Sequence, residues 1–157
     1  MTIRPATRAD IPLLIALERR CVGASHWSEE QYRQAFVADS NRLVLVATRS
    51  GADDSFSNST EIAGFLVALH LPPEWELENI AVAPVTRRTG LGMQLLDALL
   101  TRARETNSHR VFLEVRESNA AARALYEKAG FRQTGRRKGY YSDPPEDAIL
   151  YTKTFSL

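Results

Sequence analysis

The sequence has almost no cysteine, no long apolar run and no excess of either charge. Among its 157 residues the single cysteine is Cys21. One cysteine rules out a disulfide within the chain and argues against a zinc ion held by thiolates. No stretch approaches the roughly 18 apolar residues of a membrane-spanning helix. The opening "MTIRPATRAD" also lacks the apolar core of a signal peptide. The expectation is a protein of a reducing compartment, the cytoplasm, with no membrane partner. A formal net charge of +1 provides no broad basic field, which argues against direct nucleic-acid binding. His26, His70 and His109 show no ligand spacing, so no metal is expected. What is present is ordinary for a globular protein: 44% hydrophobic and 25% charged residues. The length fits a single domain, 1–157, large enough to bury a core without disulfides or metal.

Local patterns order the chain. Thr7 and Asp10 have capping-box spacing, and Ile11, Leu14 and Ile15 then recur on one side of a helix. Ser28 and Gln31 repeat that start signal. "RLVLVATR" (42–49), "EIAGFLVALHL" (61–71) and "WELENIAVAP" (75–84) read as strands, being short and rich in β-branched residues. The turn-rich "GADDSFSNST" (51–60) reads as a surface loop between two of them. Helical periodicity returns over 92–105, with Leu95, Leu96, Leu99 and Leu100 as its apolar stripe. "RVFLEV" is a strand, "SNAAARALYEKAG" a helix ending at Gly130, and "FRQTGRRKGYY" and "AILYTKTF" a closing strand pair. A mixed sheet carrying helices is expected, not a doubly wound alternation of strand and helix.

"VTRRTGLGMQLL" (85–96) places glycines and arginines at the mouth of a helix. The first N–H groups of a helix lack partners, and the dipole adds partial positive charge there. That combination suits a phosphate. The absence of Gly-Lys-Ser/Thr excludes a Walker loop, and the glycine spacing excludes a dinucleotide fingerprint. On these residues alone a plain turn with solvated arginines stays equally open.

The larger pattern, "NIAVAPVTRRTGLG" followed by "LEVRESNAAARALYEKAGF", resembles the acetyl-coenzyme A binding core of the GNAT family of N-acetyltransferases. "IRPATRADIPLLIALE" is similar to that family's first strand and helix, so the resemblance covers nearly the whole chain. It implies an α/β (α+β) GNAT fold, a mixed, mostly antiparallel sheet of about seven strands with about four helices. It also implies acetyl-coenzyme A as cosubstrate. Arg88, Thr89, Gly90, Leu91, Gly92 and Met93 would bind its pyrophosphate, and Ile80, Ala81 and Val82 would run beside its pantetheine arm as a neighbouring strand does. Core packing alone would also account for Ile80 and Val82.

Three residues carry the chemistry that the resemblance implies. Within the family, "LEVRESNAAARALYEKAGF" and "RRKGYYSDPPEDAILYTK" resemble the RimI-type branch, bacterial enzymes acetylating the N-terminal alanine of a small-subunit ribosomal protein. By that resemblance Glu114 is the general base, Tyr126 the general acid and cofactor contact, and Asn119 a cofactor ligand. An α-amino group titrates near pH 8, so it must shed a proton before attacking a thioester. A tyrosine near pH 10 can protonate a departing thiolate near 8.5. On the residues alone, Asn119 also fits a helix cap, Tyr126 a core tyrosine, and Glu114 a solvated or salt-bridged position. Cys21 is expected in the first helix region, as core, away from this group.

On the acceptor side, Trp27 resembles the tryptophan of the branch's substrate loop, although "GASH" stands where an aromatic-proline segment is usual. Tyr140 and Tyr141 match its paired tyrosines and would wall the peptide N-terminus, or form a simple edge-strand pair. Glu76 matches the position where some other branches of the family carry their base and is a second candidate base, or else Glu76 and Glu78 are a solvated pair of charges; simple alternation gives Glu76, Glu78 and Ile80 one strand parity. The basic trio of "GRRKGYY" is expected on a surface turn, and Asp143, Glu146 and Asp147 as a solvated cluster or an attractor of basic peptide. The favoured expectation is an N-terminal protein acetyltransferase. An enzyme acetylating lysine or a small amine, and an idle acyl-coenzyme A binding module, remain the alternatives.

Overall fold

The computed structural model describes residues 1–21, 26–49, 61–87 and 89–155. The expectations placed on Arg88, on the loop 51–60 and on Gly23, Ala24 and Ser25 lie outside those residues. Seven strands form one sheet: β1 (Thr2–Pro5), β2 (Arg42–Arg49), β3 (Glu61–Leu71), β4 (Glu74–Val82), β5 (Arg110–Arg116), β6 (Arg132–Ser142) and β7 (Pro145–Thr154). Four α-helices accompany it: α1 (Ile11–Arg19), α2 (Glu29–Ala35), α3 (Leu91–Glu105) and α4 (Ala120–Lys128). The spatial order is β1-β2-β3-β4-β5-β7-β6. Every neighbouring pair is antiparallel except β4 and β5, whose parallel pairing needs a crossover, supplied by α3. None of the helices is long and apolar enough to cross a membrane.

Start signals resolve into two kinds of cap. Ser28 and Gln31 form the expected capping box of α2, with Gln31 N–H donating to Ser28 Oγ at 3.2 Å and Ser28 N–H to Gln31 Oε1 at 2.8 Å. Thr7 and Asp10 also form their expected capping box, but on a 3-10 turn, Arg8–Asp10, that leads into α1. Asp10 accepts from Thr7 N–H at 2.8 Å and binds Arg4 through both oxygens.

Alternation along the strands creates two cores, one on each face. Leu45, Leu66, Leu77, Val111, Leu113 and Ile149 face α3 and α4, where Leu95, Leu96, Leu99 and Leu100 complete the packing. Val44, Val46, Phe65 and Val67 face α1 and α2 against Leu14, Leu17 and Tyr32. Each fully buried leucine contributes about 1.5–3 kcal/mol of transfer free energy, so the stripe on α3 fixes that helix on the sheet. Gly64 permits the fit: a Cβ there would meet Leu91 and Leu95 at 3.2 Å and Ala81 O at 3.1 Å. On the other face α1 packs on β3 and β4 and α2 on β2, so these helices lie over the β2–β4 half of the sheet.

Candidate active site

The sheet is split in the middle. β4 and β5 pair only from Glu74↔Arg110 to Glu76↔Phe112. Beyond that, β4 continues to Val82 against β3, and β5 continues to Arg116 against β7. The two inner edges therefore diverge, each backed by an intact ladder. The cause lies in β4. Val67 pairs with Asn79 and Ala68 with Leu77, so Glu78 is an extra residue, a β-bulge. A bulge bends its strand and increases the twist. Past the bulge β4 and β5 no longer exchange ladder hydrogen bonds, and in the opening that this implies between their edges an extended ligand chain can take the place of a strand.

At one end of this opening stands the start of α3. Gly90 is its N-cap, at φ +82°, a left-handed conformation that glycine adopts without steric penalty. The first hydrogen bond of the helix runs from Gln94 N–H to Gly90 O, at 3.0 Å. The N–H groups of Leu91, Gly92 and Met93 precede it and are not used by the helix. A Cβ on Gly90 would meet nothing within 4 Å. Gly92 has a different role: a Cβ there would come within 3.2 Å of Leu125, so its bareness lets α4 approach α3. The Thr89 hydroxyl donates to Thr86 O at 2.5 Å, and both Thr89 and Arg87 are exposed.

α4 carries Asn119 and Tyr126. Asn119 is the N-cap, its Oδ1 accepting from Ala122 N–H at 3.1 Å, so the capping alternative holds. Tyr126 is the one buried residue of α4, and the end of the helix holds it in place. Gly130, at φ +96°, lets Phe131 N–H reach Tyr126 O at 2.9 Å and Gly130 N–H reach Glu127 O at 3.0 Å, a Schellman closure. The accompanying apolar contact is Phe131 against Tyr126 itself, ring centroids 5.9 Å apart. Burial, and then the neighbouring Tyr141, push the Tyr126 hydroxyl above its ordinary value, so it stays protonated at neutral pH.

The carboxylates gather on the face opposite α3 and α4. On β5, Val111, Leu113 and Val115 point into the core, which leaves Phe112 and Glu114 on the other side, as expected. Glu114 is not solvated: its Oε1 lies 3.0 Å from Arg137 Nε, and its side chain is 18% exposed. The shared parity expected of Glu76, Glu78 and Ile80 is corrected by the bulge. Trp75 and Leu77 before it, and Ile80 and Val82 after it, all pack on the α3 core. Asn79 and Ala81 face the α1 core, and so does Glu76. Glu76 therefore stands beside Glu114 and across the strand from Ile80. Glu78 is locked to Arg42 at 2.7 Å. Burial first, then Glu78 and Glu114, raise the Glu76 carboxyl above the ordinary carboxylate value, with Arg42 and Arg137 opposing.

Tyr140 and Tyr141 meet edge to face, centroids 5.1 Å apart, in the bulged part of β6. Arg116 covers the Tyr141 ring at 4.2 Å and Arg137 the Tyr140 ring at 5.5 Å. Tyr141 is half-buried, and burial and Glu114 raise its hydroxyl. Tyr141 is thus an electrostatic neighbour of both Tyr126 and Glu114, and Glu114 of Glu76. Trp27 is placed separately: its ring lies 5.3 Å from Tyr32, and its backbone N–H donates to Glu18 Oε1 at 2.7 Å.

Two expectations about the surroundings change. Cys21 is buried just after α1, yet its thiol lies 3.4 Å from Val82 O on the very strand expected to line the cofactor. The basic trio is not on a turn but within β6, where Arg136 binds Glu117 and Asp147 and Arg137 binds Glu114. Glu146 holds Arg116 at 3.3 Å and also accepts from Ser118 N–H, and Asp147 accepts from Gly139 N–H at 2.8 Å, so these acids brace the hairpin. Sequence reasoning missed the buried set of Glu18, Tyr32 and Asn79, in which the Asn79 amide donates to Tyr32 Oη at 3.3 Å and lies 3.5 Å from Glu18 Oε1. A glutamate on the apolar side of α1 was the only local signal of it. Among the described residues, no group of histidine, cysteine and carboxylate side chains could hold a metal ion.

Comparison with known proteins adds three findings. The model of the Acetyltransferase (GNAT) family matches residues 13–131. The chain is 34% identical over 158 residues to the ribosomal protein bS18-alanine N-acetyltransferase of Escherichia coli K12, covering 99% of each, and the crystal structure of the E. coli ribosomal-protein-S18-alanine N-acetyltransferase superposes with a TM-score of 0.83 at 33% identity, over 99% of this chain and 94% of that one. It is 35% identical over 150 residues to the N-alpha-acetyltransferase RimI of Mycobacterium tuberculosis, over 94% of this chain and 89% of that protein.

Proposed function

The chain belongs to the GNAT acetyltransferase family and is an N-acetyltransferase, and from that premise we propose that it acetylates the α-amino group of a protein N-terminus, the N-terminal alanine of a ribosomal protein being the acceptor its relatives favour. The observation that carries the reading is the divided sheet: an opening between β4 and β5 with unspent amides at one end and carboxylates across one face. Its shape and donors fit acetyl-coenzyme A. The N–H groups of Leu91, Gly92 and Met93 would hold the pyrophosphate together with Gly90, Thr89 and, by its place in the sequence motif, Arg88, and the β4 edge at Ile80, Ala81 and Val82, where the Cys21 thiol also reaches Val82 O, would pair with the pantetheine arm. Asn119 would contact the same arm from the start of α4.

The residues then divide the proton traffic. Glu114 accepts a proton from the acceptor's ammonium, directly or through water. The freed amine nitrogen forms a bond to the thioester carbonyl carbon, the carbon–sulfur bond breaks, and the second proton that the nitrogen then carries in excess passes through water to solvent, from which Tyr126 is reprotonated after the thiol leaves. Amides of β4 stabilise the negative charge that grows on the carbonyl oxygen. Tyr126 gives its phenolic proton to the departing thiolate. Tyr140, Tyr141 and Trp27 would wall the peptide. The raised carboxyl of Glu76 supports a second reading, in which Glu76 takes the proton in place of Glu114.

The test is thiol release from acetyl-coenzyme A with three acceptors: a peptide beginning with alanine, its N-acetylated form carrying an internal lysine, and a small amine. Turnover on the first alone is expected. Turnover on the lysine or the small amine alone would move the protein to another acceptor class. Comparing Glu114→Gln with Glu76→Gln assigns the base.

A further inference from the structure

We propose that Arg137 is an internal, displaceable counter-ion that occupies the acceptor's place on Glu114 and gives way to the incoming α-ammonium, so that it sets affinity and selectivity for a charged N-terminus. The inference rests on the reading that Glu114 meets the acceptor's amino group. Two carboxylates, Glu76 and Glu114, share one face of the opening, and a neighbouring pair of negative charges needs a cation close by. Two arginines serve this face in different ways. Arg42 is fixed by Glu78 at 2.7 Å, with side chains only 25% and 16% exposed. Arg137 reaches Glu114 at 3.0 Å from a side chain that is 57% exposed, so its contact is the one water and substrate can replace.

The fold also supplies somewhere for Arg137 to go. Its guanidinium already lies 5.5 Å from the centre of the exposed Tyr140 ring, a site where a cation is held without a carboxylate. It borders the irregular stretch of β6, where the register with β7 slips between Arg137 and Tyr141 and Gly139 adopts φ +61°. Its neighbour Arg136 has no such freedom, being shared between Glu117 and Asp147. An arriving ammonium thus exchanges one cation for another on Glu114, while a neutral N-terminus has nothing to offer in return for breaking the pair.

The experiment measures equilibrium binding of two probes to the enzyme saturated with coenzyme A: a peptide with a free alanine N-terminus and the same peptide N-acetylated. Arg137→Gln should tighten the free peptide by about two- to fivefold, the worth of a partly exposed ion pair, and leave the acetylated peptide unchanged. Arg137→Lys should keep the native values, because it keeps the charge. A free peptide that binds Arg137→Gln no more tightly, or both peptides shifting together, would overturn the proposal. A readout on the unaltered protein guards against a misfolded variant: the Arg137 Nε–H resonance should move on titration with free peptide and stay still with acetylated peptide, and the reverse would also overturn it. If the native enzyme acetylates no peptide, the functional reading fails; if it acetylates alanine peptides while these shifts are absent, only the role of Arg137 fails.

Discussion

The two walls of the central opening are made of different materials. The β4–α3 wall is main chain: a strand edge freed by the bulge at Glu78 and the leading amides of a helix behind Gly90. The β5–β6 wall is side chain: Glu114, Arg137, Tyr140 and Tyr141, with Glu76 facing them and Tyr126 reaching the group from α4. A wall of amides is tied to chain geometry and accepts a constant ligand. A wall of charges and rings can be altered residue by residue and would suit a ligand that has to be told apart from others by its charge.

Damage to one wall should spare the other. The largest expected effect is on the side-chain wall. Glu114→Gln and Tyr126→Phe should each lower kcat by about 10²–10⁴-fold, the usual worth of general acid or base catalysis, while coenzyme A affinity by calorimetry stays near native. Coenzyme A binding lost along with turnover would break the distinction. Next comes the buried set beneath Trp27. Glu18→Leu strands the Trp27 backbone N–H, leaves the Asn79 amide with Tyr32 Oη alone and should cost about 1–3 kcal/mol in urea unfolding, with a raised acceptor KM.

A smaller effect belongs to the main-chain wall. Gly90→Ala puts a side chain at φ +82° in open space, so the cost is conformational, about 1–2 kcal/mol. Weaker coenzyme A binding with an unchanged acceptor KM is expected from steady-state kinetics. The smallest is a pH effect. The Glu76 carboxyl is raised in the folded protein above its ordinary 4.5, so the native state binds its proton more tightly than the unfolded chain does. That contribution is complete below the unfolded value and is lost as pH rises through the folded one. Glu76→Gln, which cannot ionise, should therefore be more stable than native at pH 8, with the gain shrinking toward pH 4 in paired urea titrations.

The same division explains what could be read from the chain. β2 and β3 were legible to the residue because their β-branched runs end in turn chemistry. α3 showed its four-leucine stripe, and the glycines before it marked a conformation that depends on two residues alone. Those signals are local, and so the main-chain wall was visible. The bulge was not, since an extra residue on β4 exists only relative to β3, and its presence moved Glu76 to the face opposite Ile80. The partner of Glu114 was hidden for the same reason. Arg137 lies 23 residues further along, on a strand that reaches β5 only through β7. "GRRKGYY" alone says that charge is present, not where it is spent. Cys21 likewise becomes a neighbour of Val82 only when α1 crosses β4.

A crystal structure with bound coenzyme A tests the central claim most directly. The diphosphate should rest on the amides of Leu91, Gly92 and Met93, and the pantetheine chain should lie between β4 and β5 with main-chain hydrogen bonds to residues 80–82. A nucleotide seated elsewhere, or β4 and β5 zipped together past Glu76 and Phe112, would contradict it.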